Sequence, residues 1–237
     1  MPKHGKKYRA AREQIPLTPV SPSEAVALAK KHSFTKFDEA VEFHLATSAD
    51  PRQADQLIRE VAALPHGTGK NVRIFVFAEG EGARLAQEAG ADYISSDELT
   101  AKIETGWSDF DLAIATPDQM GKIARLGRFL GRKGLMPNPR TGTVVQAPDM
   151  RRAIETMKKG RAEIRMDKTA NIHVRFGTRA FTEQQLAENL ASVYSTISRA
   201  KPAGVKGQFI KTATVSTTMG PGIKVDLNGL EAMAKAQ

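Results

Sequence analysis

Two hydrophobic textures alternate along this 237-residue chain, and their order limits the fold more than any single motif. From Ala40 to Thr47, Val41, Phe43 and Leu45 alternate with Glu42 and His44, the period-two pattern of a strand with one face in water. From Val72 to Phe77 and from Leu112 to Ala115 the apolar residues run almost unbroken, as in strands covered on both faces. After Gly160 the alternation returns, in Ile164 and Met166 and again in Ile172, Val174 and Phe176, with Asp167 to Asn171 between them reading as the turn of a hairpin. Half-exposed sheet material therefore flanks a doubly covered block on both sides. The economical explanation is a discontinuous α+β domain, 1–67 plus 160–237, carrying an inserted Rossmann-like three-layer α/β domain at 68–159. The crossings fall at Gly67 and Gly69 going out and Gly160 returning, a set of paired hinges.

Helix signals fit this frame. Ser21-Pro22-Ser23-Glu24 reads as an N-cap, a first-turn proline and a capping-box acid, so ordered structure is expected to begin there, after a cationic arm at 1–12. Thr182 and Gln185 open a long helix with Leu186, Leu190, Val193 and Ile197 on one face. In the middle block, helices are expected after Gly82, from about Ser96 to Glu104, and after Pro117-Asp118. Gln56 to Leu64 fits helix or strand equally by pattern.

Charge narrows the partner. The chain has 35 Lys and Arg against 26 Asp and Glu, a formal +9. Residues 70–118 hold 4 basic and 10 acidic groups, whereas 119–159 hold 10 and 2. Lys122, Arg125, Arg128, Arg132, Lys133 and Arg140 form a strip without an acid, which suits an anion and equally suits a solvated helix face. There is no cysteine, so disulfides and thiolate metal sites are excluded. No apolar run approaches the roughly 18 residues of a membrane span, and the basic N-terminus lacks a signal-peptide core.

Signs of catalysis fail one by one. Gly80-Glu81-Gly82 lies where a dinucleotide loop would begin, but Leu85 occupies the third glycine position, and Glu79 and Glu81 would repel a pyrophosphate. Gly67-Thr68-Gly69-Lys70 resembles the end of a phosphate loop, yet Leu64 and Asn71 replace its first glycine and its magnesium-binding hydroxyl. The five histidines are scattered, with no ligand spacing. A non-enzyme without cofactor or metal is expected, with a nucleotide-using α/β enzyme as the alternative.

Two segments exceed what folding demands. Gly131 to Thr143, with two prolines, apolar Leu135 and Met136 and flanking cations, reads as an extended exposed loop. Ser216-Thr217-Thr218-Met219-Gly220-Pro221 offers small hydroxyls and a glycine to which RNA sugars can approach closely, although composition alone suits an ordinary Thr-rich edge strand as well.

With Lys3-His4-Gly5-Lys6-Lys7-Tyr8, Leu64-Pro65-His66-Gly67-Thr68-Gly69-Lys70, Gly134-Leu135-Met136-Pro137-Asn138-Pro139, Asp167-Lys168-Thr169 and Thr217-Thr218-Met219-Gly220-Pro221 in this order, the chain closely resembles the bacterial L-one ribosomal protein family of the mobile exit-site stalk. The resemblance implies a cytoplasmic protein, monomeric within the large ribosomal subunit, that binds 23S rRNA directly. It further implies a part in exit-site tRNA release and translational repression through the protein's own operon mRNA. Carried onto this sequence, the RNA face comprises Lys36, Phe37, Asp167, Lys168, Thr169, Thr212, Thr217, Thr218, Met219 and Gly220, with Phe37 equally explicable as core. Arg132, Lys133 and Arg140 are the expected RNA or tRNA contacts of the inserted domain. Departures are Thr47-Ser48 for the family's usual Leu-Gly, Glu60 for Gly, and Thr178 and Ala180 for Lys and Ser.

Overall fold

A computed structural model describes residues 5–158 and 160–235. In chain order its elements are α1 (Lys6–Glu13), α2 (Pro22–Lys31), β1 (Ala40–Thr47), β2 (Arg59–Ala63), β3 (Ile74–Phe77), α3 (Glu81–Glu88), β4 (Tyr93–Ile94) and α4 (Asp97–Glu104). Then follow β5 (Leu112–Ala115), α5 (Met120–Ile123), α6 (Gly127–Arg132), α7 (Met150–Lys158), β6 (Arg161–Arg165) and β7 (Asn171–Thr178). The last are α8 (Glu183–Arg199), β8 (Ile210–Thr217), β9 (Ile223–Val225) and α9 (Leu227–Lys235). The chain divides into two compact units, one from both chain ends, through Gly69 and again from Gly160, the other from the residues between.

The first unit is built on an antiparallel sheet of order β7-β1-β8-β9. Val41, Phe43 and Leu45 of β1 join Ile172, Val174 and Phe176 of β7 and Ala213 and Val215 of β8 in one core with Val26 of α2 and Leu186, Leu190, Val193 and Ile197 of α8. Helix α8 opens with a complete capping box, in which Thr182 accepts from the Gln185 N–H and Gln185 from the Thr182 N–H. The helices share their core with one set of alternate strand residues, and the other set is largely half-buried or exposed on an open face.

Two expectations about this unit are corrected, and one open alternative is decided. The N-terminal arm is helical over Lys6–Glu13, tucking Ala11 and Ile15 inward; too few apolar residues mark it to give a readable stripe. The ambiguous segment is strand β2, which pairs antiparallel with β6. The hairpin is reduced to one bridge, Met166 to Ile172, because β6 pairs with β2 while β7 pairs with β1. The turn itself forms, with the Asp167 N–H donating to the Asn171 carbonyl.

The second unit has a parallel sheet of order β4-β3-β5. Ile74 and Val76 of β3 pack with Ala86 of α3 and Met150, Ile154 and Met157 of α7. Phe75 and Phe77 pack on the other side with Ile103 of α4, Ile123, Leu126 and Leu130. Both faces are covered, as the continuous apolar runs require. The Gly131–Thr143 segment is not an extended loop. Leu135 donates its N–H to the Leu130 carbonyl, Leu135 and Met136 pack half-buried on the Phe75 cluster, and the buried Thr143 hydroxyl accepts from the Asn138 N–H at 2.7 Å. Its apolar pair is core material that holds the segment down. No helix among the described residues is long and apolar enough to cross a membrane.

Candidate nucleic-acid interface

Strand register orders the open face of the first unit into rows. Arg175, Glu42 and Ser216 form one row; His173, His44, Thr214 and Lys224 the next; Asn171, Ala46 and Thr212 the third. The expected RNA residues sit largely beyond the two ends of this face. Near the start of β1 are Lys36, Phe37, Thr218, Met219 and Gly220; near its end are Thr212 and the Asp167–Thr169 turn, whose Ala170 carbonyl accepts the Thr47 N–H. Seven residue steps of β1 separate the two groups, roughly 23 Å at strand rise.

At the first end, Thr218 extends the β1–β8 ladder with its side chain. Its N–H donates to the Ala40 carbonyl at 3.1 Å, and its hydroxyl accepts from the Ala40 N–H at 3.1 Å. Phe37 and Met219, on either side of this junction, are 54% and 53% exposed, which settles the question over Phe37: it is surface, not core. Lys36 is exposed beside it. Arg179 donates to the Thr35 carbonyl and the Ala180 N–H to the Asp38 carboxylate, so the 178–180 segment braces the Lys36–Phe37 turn.

Thr217 corrects the expectation of a side chain turned to RNA. Alternation sends it inward with Ala213 and Val215, and it is buried. Its role is steric: a Cβ on Gly220 would lie 2.3 Å from the Thr217 hydroxyl, so only glycine lets the chain turn over it.

At the second end, the Asp167 carboxylate accepts from the N–H groups of Thr169 and Asn171 and from the Thr169 hydroxyl, each at 2.8 Å. These donors, the Asn171 N–H first among them, hold the acid below the ordinary aspartate pKa. Both Asp167 and the Thr169 hydroxyl are thus engaged in shaping a turn that presents the exposed Lys168. Ala170 completes the turn with φ +63°, a left-handed conformation costly for any residue with a Cβ. Thr47, one of the departures from the family pattern, clips it in place: its hydroxyl donates to the Ala170 carbonyl at 2.8 Å.

Sequence reasoning missed the middle of the face. His44 and His173, 129 residues apart, meet across β1 and β7 with their Nδ1 atoms at 2.8 Å, and His44 Nε2 lies 3.0 Å from the Ser216 hydroxyl. Burial first, then the neighbouring His173, lower the His44 pKa, against a smaller opposite pull from Glu42. Only the outward position of His44 in its alternating strand signalled this. Asn189 was also missed. Buried on α8, it accepts from the His66 N–H and donates to the Gly67 and Phe176 carbonyls, satisfying the backbone at the outgoing crossing. Gly67, Gly69 and Gly160 have φ of +69°, +75° and +93°, and a Cβ on Gly160 would lie 2.6 Å from Gly67 Cα. Glycine is required where these two stretches touch.

In the second unit, Lys133 donates to the Gly106 carbonyl and the Ser108 hydroxyl, and Arg132 is exposed at the end of α6. Arg140 lies in a short 3-10 turn, Pro139–Thr141, and its side chain falls outside the described residues, as do Lys3 and His4 of the N-terminal motif.

A family model, described as the Ribosomal protein L1p/L10e family, matches residues 29–221. The chain belongs to this family. The matched span includes both ends of the open face and the entire second unit. Among the relatives of this L1p/L10e member are proteins named "Large ribosomal subunit protein uL1". One from Chloroflexus aggregans is 56% identical over 96% of this chain and 97% of its own length. Those of Thermomicrobium roseum and Dehalococcoides mccartyi strain BAV1 are 54% and 52% identical, over 96% and 97% of this chain and 95% and 98% of their own lengths. The departures from the usual family residues at 47 and 48 both have partners here, since the Ser48 hydroxyl donates to the Gln208 carbonyl at 2.7 Å.

Proposed function

We propose that this chain is a structural protein of the large ribosomal subunit that binds rRNA through the open face of its first unit. The observation that carries this is the pairing of a Lys36-Phe37/Thr218-Met219-Gly220 end, exposed at all but the glycine, with an exposed Lys168 end, on a polar sheet face about 23 Å long whose outward residues are half-buried or exposed. Such a layout reads the shape of a folded RNA: cations meet phosphates, a hydroxyl meets 2′-hydroxyls, and a glycine admits a ribose edge. The family and the names of its relatives support the same reading.

Finer roles follow from the reading. The same face would hold a similar fold in the protein's own mRNA, competing with rRNA and repressing translation. Gly67, Gly69 and Gly160 would act as the hinges of a mobile stalk, and Arg132, Lys133 and Arg140 would face exit-site tRNA or rRNA.

Equilibrium binding of the full chain to a large-subunit rRNA stalk fragment at several salt concentrations tests the main claim. Each neutralised phosphate should contribute a slope of about −0.7 to −0.9 in log affinity against log salt. A scrambled fragment should bind far more weakly; equal binding would overturn specific recognition. Addition of the operon leader RNA should displace the rRNA fragment if the two share the face.

A further inference from the structure

The second unit has a feature that neither its core nor the open sheet uses. Ile123, Leu126 and Leu130 turn toward the sheet, leaving Arg125, Arg128, Phe129 and Arg132 exposed on the outside. Phe129 is 38% exposed, a large aromatic among cations. Nearby, Trp107 contacts Tyr93 edge-to-face at 5.2 Å between ring centroids, and its indole N–H donates to the Asp109 carboxylate at 2.9 Å, so its plane is fixed. Trp107 and Phe129 help to line a cavity of about 410 Å³, with Ile103 and Leu130 among its apolar residues and Ser108, Arg132 and Lys133 among its polar ones.

The charges around this cavity are unspent. Among the described residues no carboxylate pairs with Arg132 or Lys133, the two cations of its lining. Lys133 is held by two neutral acceptors, the Gly106 carbonyl and the Ser108 hydroxyl, which fix its ammonium beside the cavity without cancelling its charge. Asp109, which follows the lining residue Ser108, is engaged by the indole. An apolar peptide would explain the aromatic walls and leave Arg132 and Lys133 idle. A free anion would explain the cations and leave the walls idle. A nucleotide uses both, because its base stacks on aromatic faces while its phosphates meet the cations.

We propose that this cavity receives one unpaired nucleotide of an RNA strand, its base between Trp107 and Phe129 and its phosphates at Arg132 and Lys133. The proposal rests on the reading of the chain as an RNA-binding protein and adds a single-strand site on the second unit to the shape-reading face on the first.

Trp107 is the only tryptophan in the chain, so its emission reports occupancy directly. Full-length protein is titrated with a single-stranded oligoadenylate of eight nucleotides and with an abasic ribose-phosphate oligomer of equal length. The expected result is saturable quenching by the oligoadenylate alone, weakened about tenfold in both Phe129→Ala and Phe129→Leu. Arg132→Gln combined with Lys133→Gln should weaken it further and flatten its salt dependence. Circular dichroism confirms that the variants are folded, and affinity for the rRNA stalk fragment should be unchanged in Phe129→Ala. Three outcomes overturn the site: no quenching, equal quenching by the abasic oligomer, or full quenching in Phe129→Leu, which would mark an apolar pocket rather than a stacking one. If the stalk fragment binds while Trp107 stays silent, only this site falls; if neither binds, the functional reading falls with it.

Discussion

The two sheets bury their side chains by different rules. In β3, Ile74 and Val76 meet one helical layer while Phe75 and Phe77 meet the other, so every residue of the strand is committed to packing. In β1, Val41, Phe43 and Leu45 are committed, while Glu42, His44 and Ala46 stay at the surface. A sheet covered on both faces can bind only through its loops and outer helices. A sheet covered on one face offers every second residue of every strand, in fixed register, as a recognition surface. The cations of the second unit accordingly gather on helix exteriors, and the expected contacts of the first flank the two ends of its open face.

The sharpest way to break this contrast is to place the same charge in both sheets. Ile114→Asp buries a carboxylate between two helical layers and should cost about 4 kcal/mol or more, unfolding the second unit. Thr214→Asp, on the open face, should change stability by about 0.5 kcal/mol at most while weakening RNA binding through repulsion of phosphate. Denaturant melts of both variants check this; comparable losses would show that the open face is not free.

Thr218→Val comes next in size. The hydroxyl accepts from the Ala40 N–H, so valine leaves that donor unmet and removes a polar group from the proposed contact end of the open face. RNA affinity should fall by about 1–3 kcal/mol in a filter-retention assay, with less effect on stability because the site is open to water. Unchanged affinity would remove Thr218 from the interface.

How much of this was legible depends on whether the deciding interaction is local. β1 is readable to the residue because two-residue alternation is a local signal, and the capping box of α8 is readable because its partners are three residues apart. The pairing of β2 with β6 joins segments about a hundred residues apart, so no local pattern distinguishes that strand from a helix. The inward turn of Thr217 was missed for a related reason. A Thr-rich run carries no hydrophobic period, and its facing is set by pairing with β1. The histidine pair and Asn189 likewise depend on cross-strand and helix-to-loop placement.

The turn at the far end offers a smaller test. Ala170 holds a left-handed φ with its carbonyl clipped by Thr47. Ala170→Gly should relieve the strain, offset in part by the greater freedom of glycine in the unfolded chain, for a net gain of up to about 1 kcal/mol in thermal stability. A loss would mean that the Ala170 methyl packs well enough to outweigh its backbone cost.

His44 gives the finest discrimination, because it lies on the open sheet and has no counterpart in the buried one. The fold lowers the His44 pKa, chiefly by burial and then through His173, with Glu42 pulling the other way. The folded protein therefore resists a proton that the unfolded chain takes up near the ordinary histidine pKa of about 6.5. As pH falls through that value the unfolded state binds more protons, so stability must decline toward the lower folded pKa. Glu42 on β1, His173 on β7 and Ser216 on β8 face the ring. Denaturation midpoints between pH 7.5 and 5.5 should fall for the parent protein and change less in His44→Gln, which keeps a polar side chain but cannot titrate. If both proteins lose equal stability, the acid sensitivity lies elsewhere, and the centre of the open face is as indifferent to pH as the buried sheet.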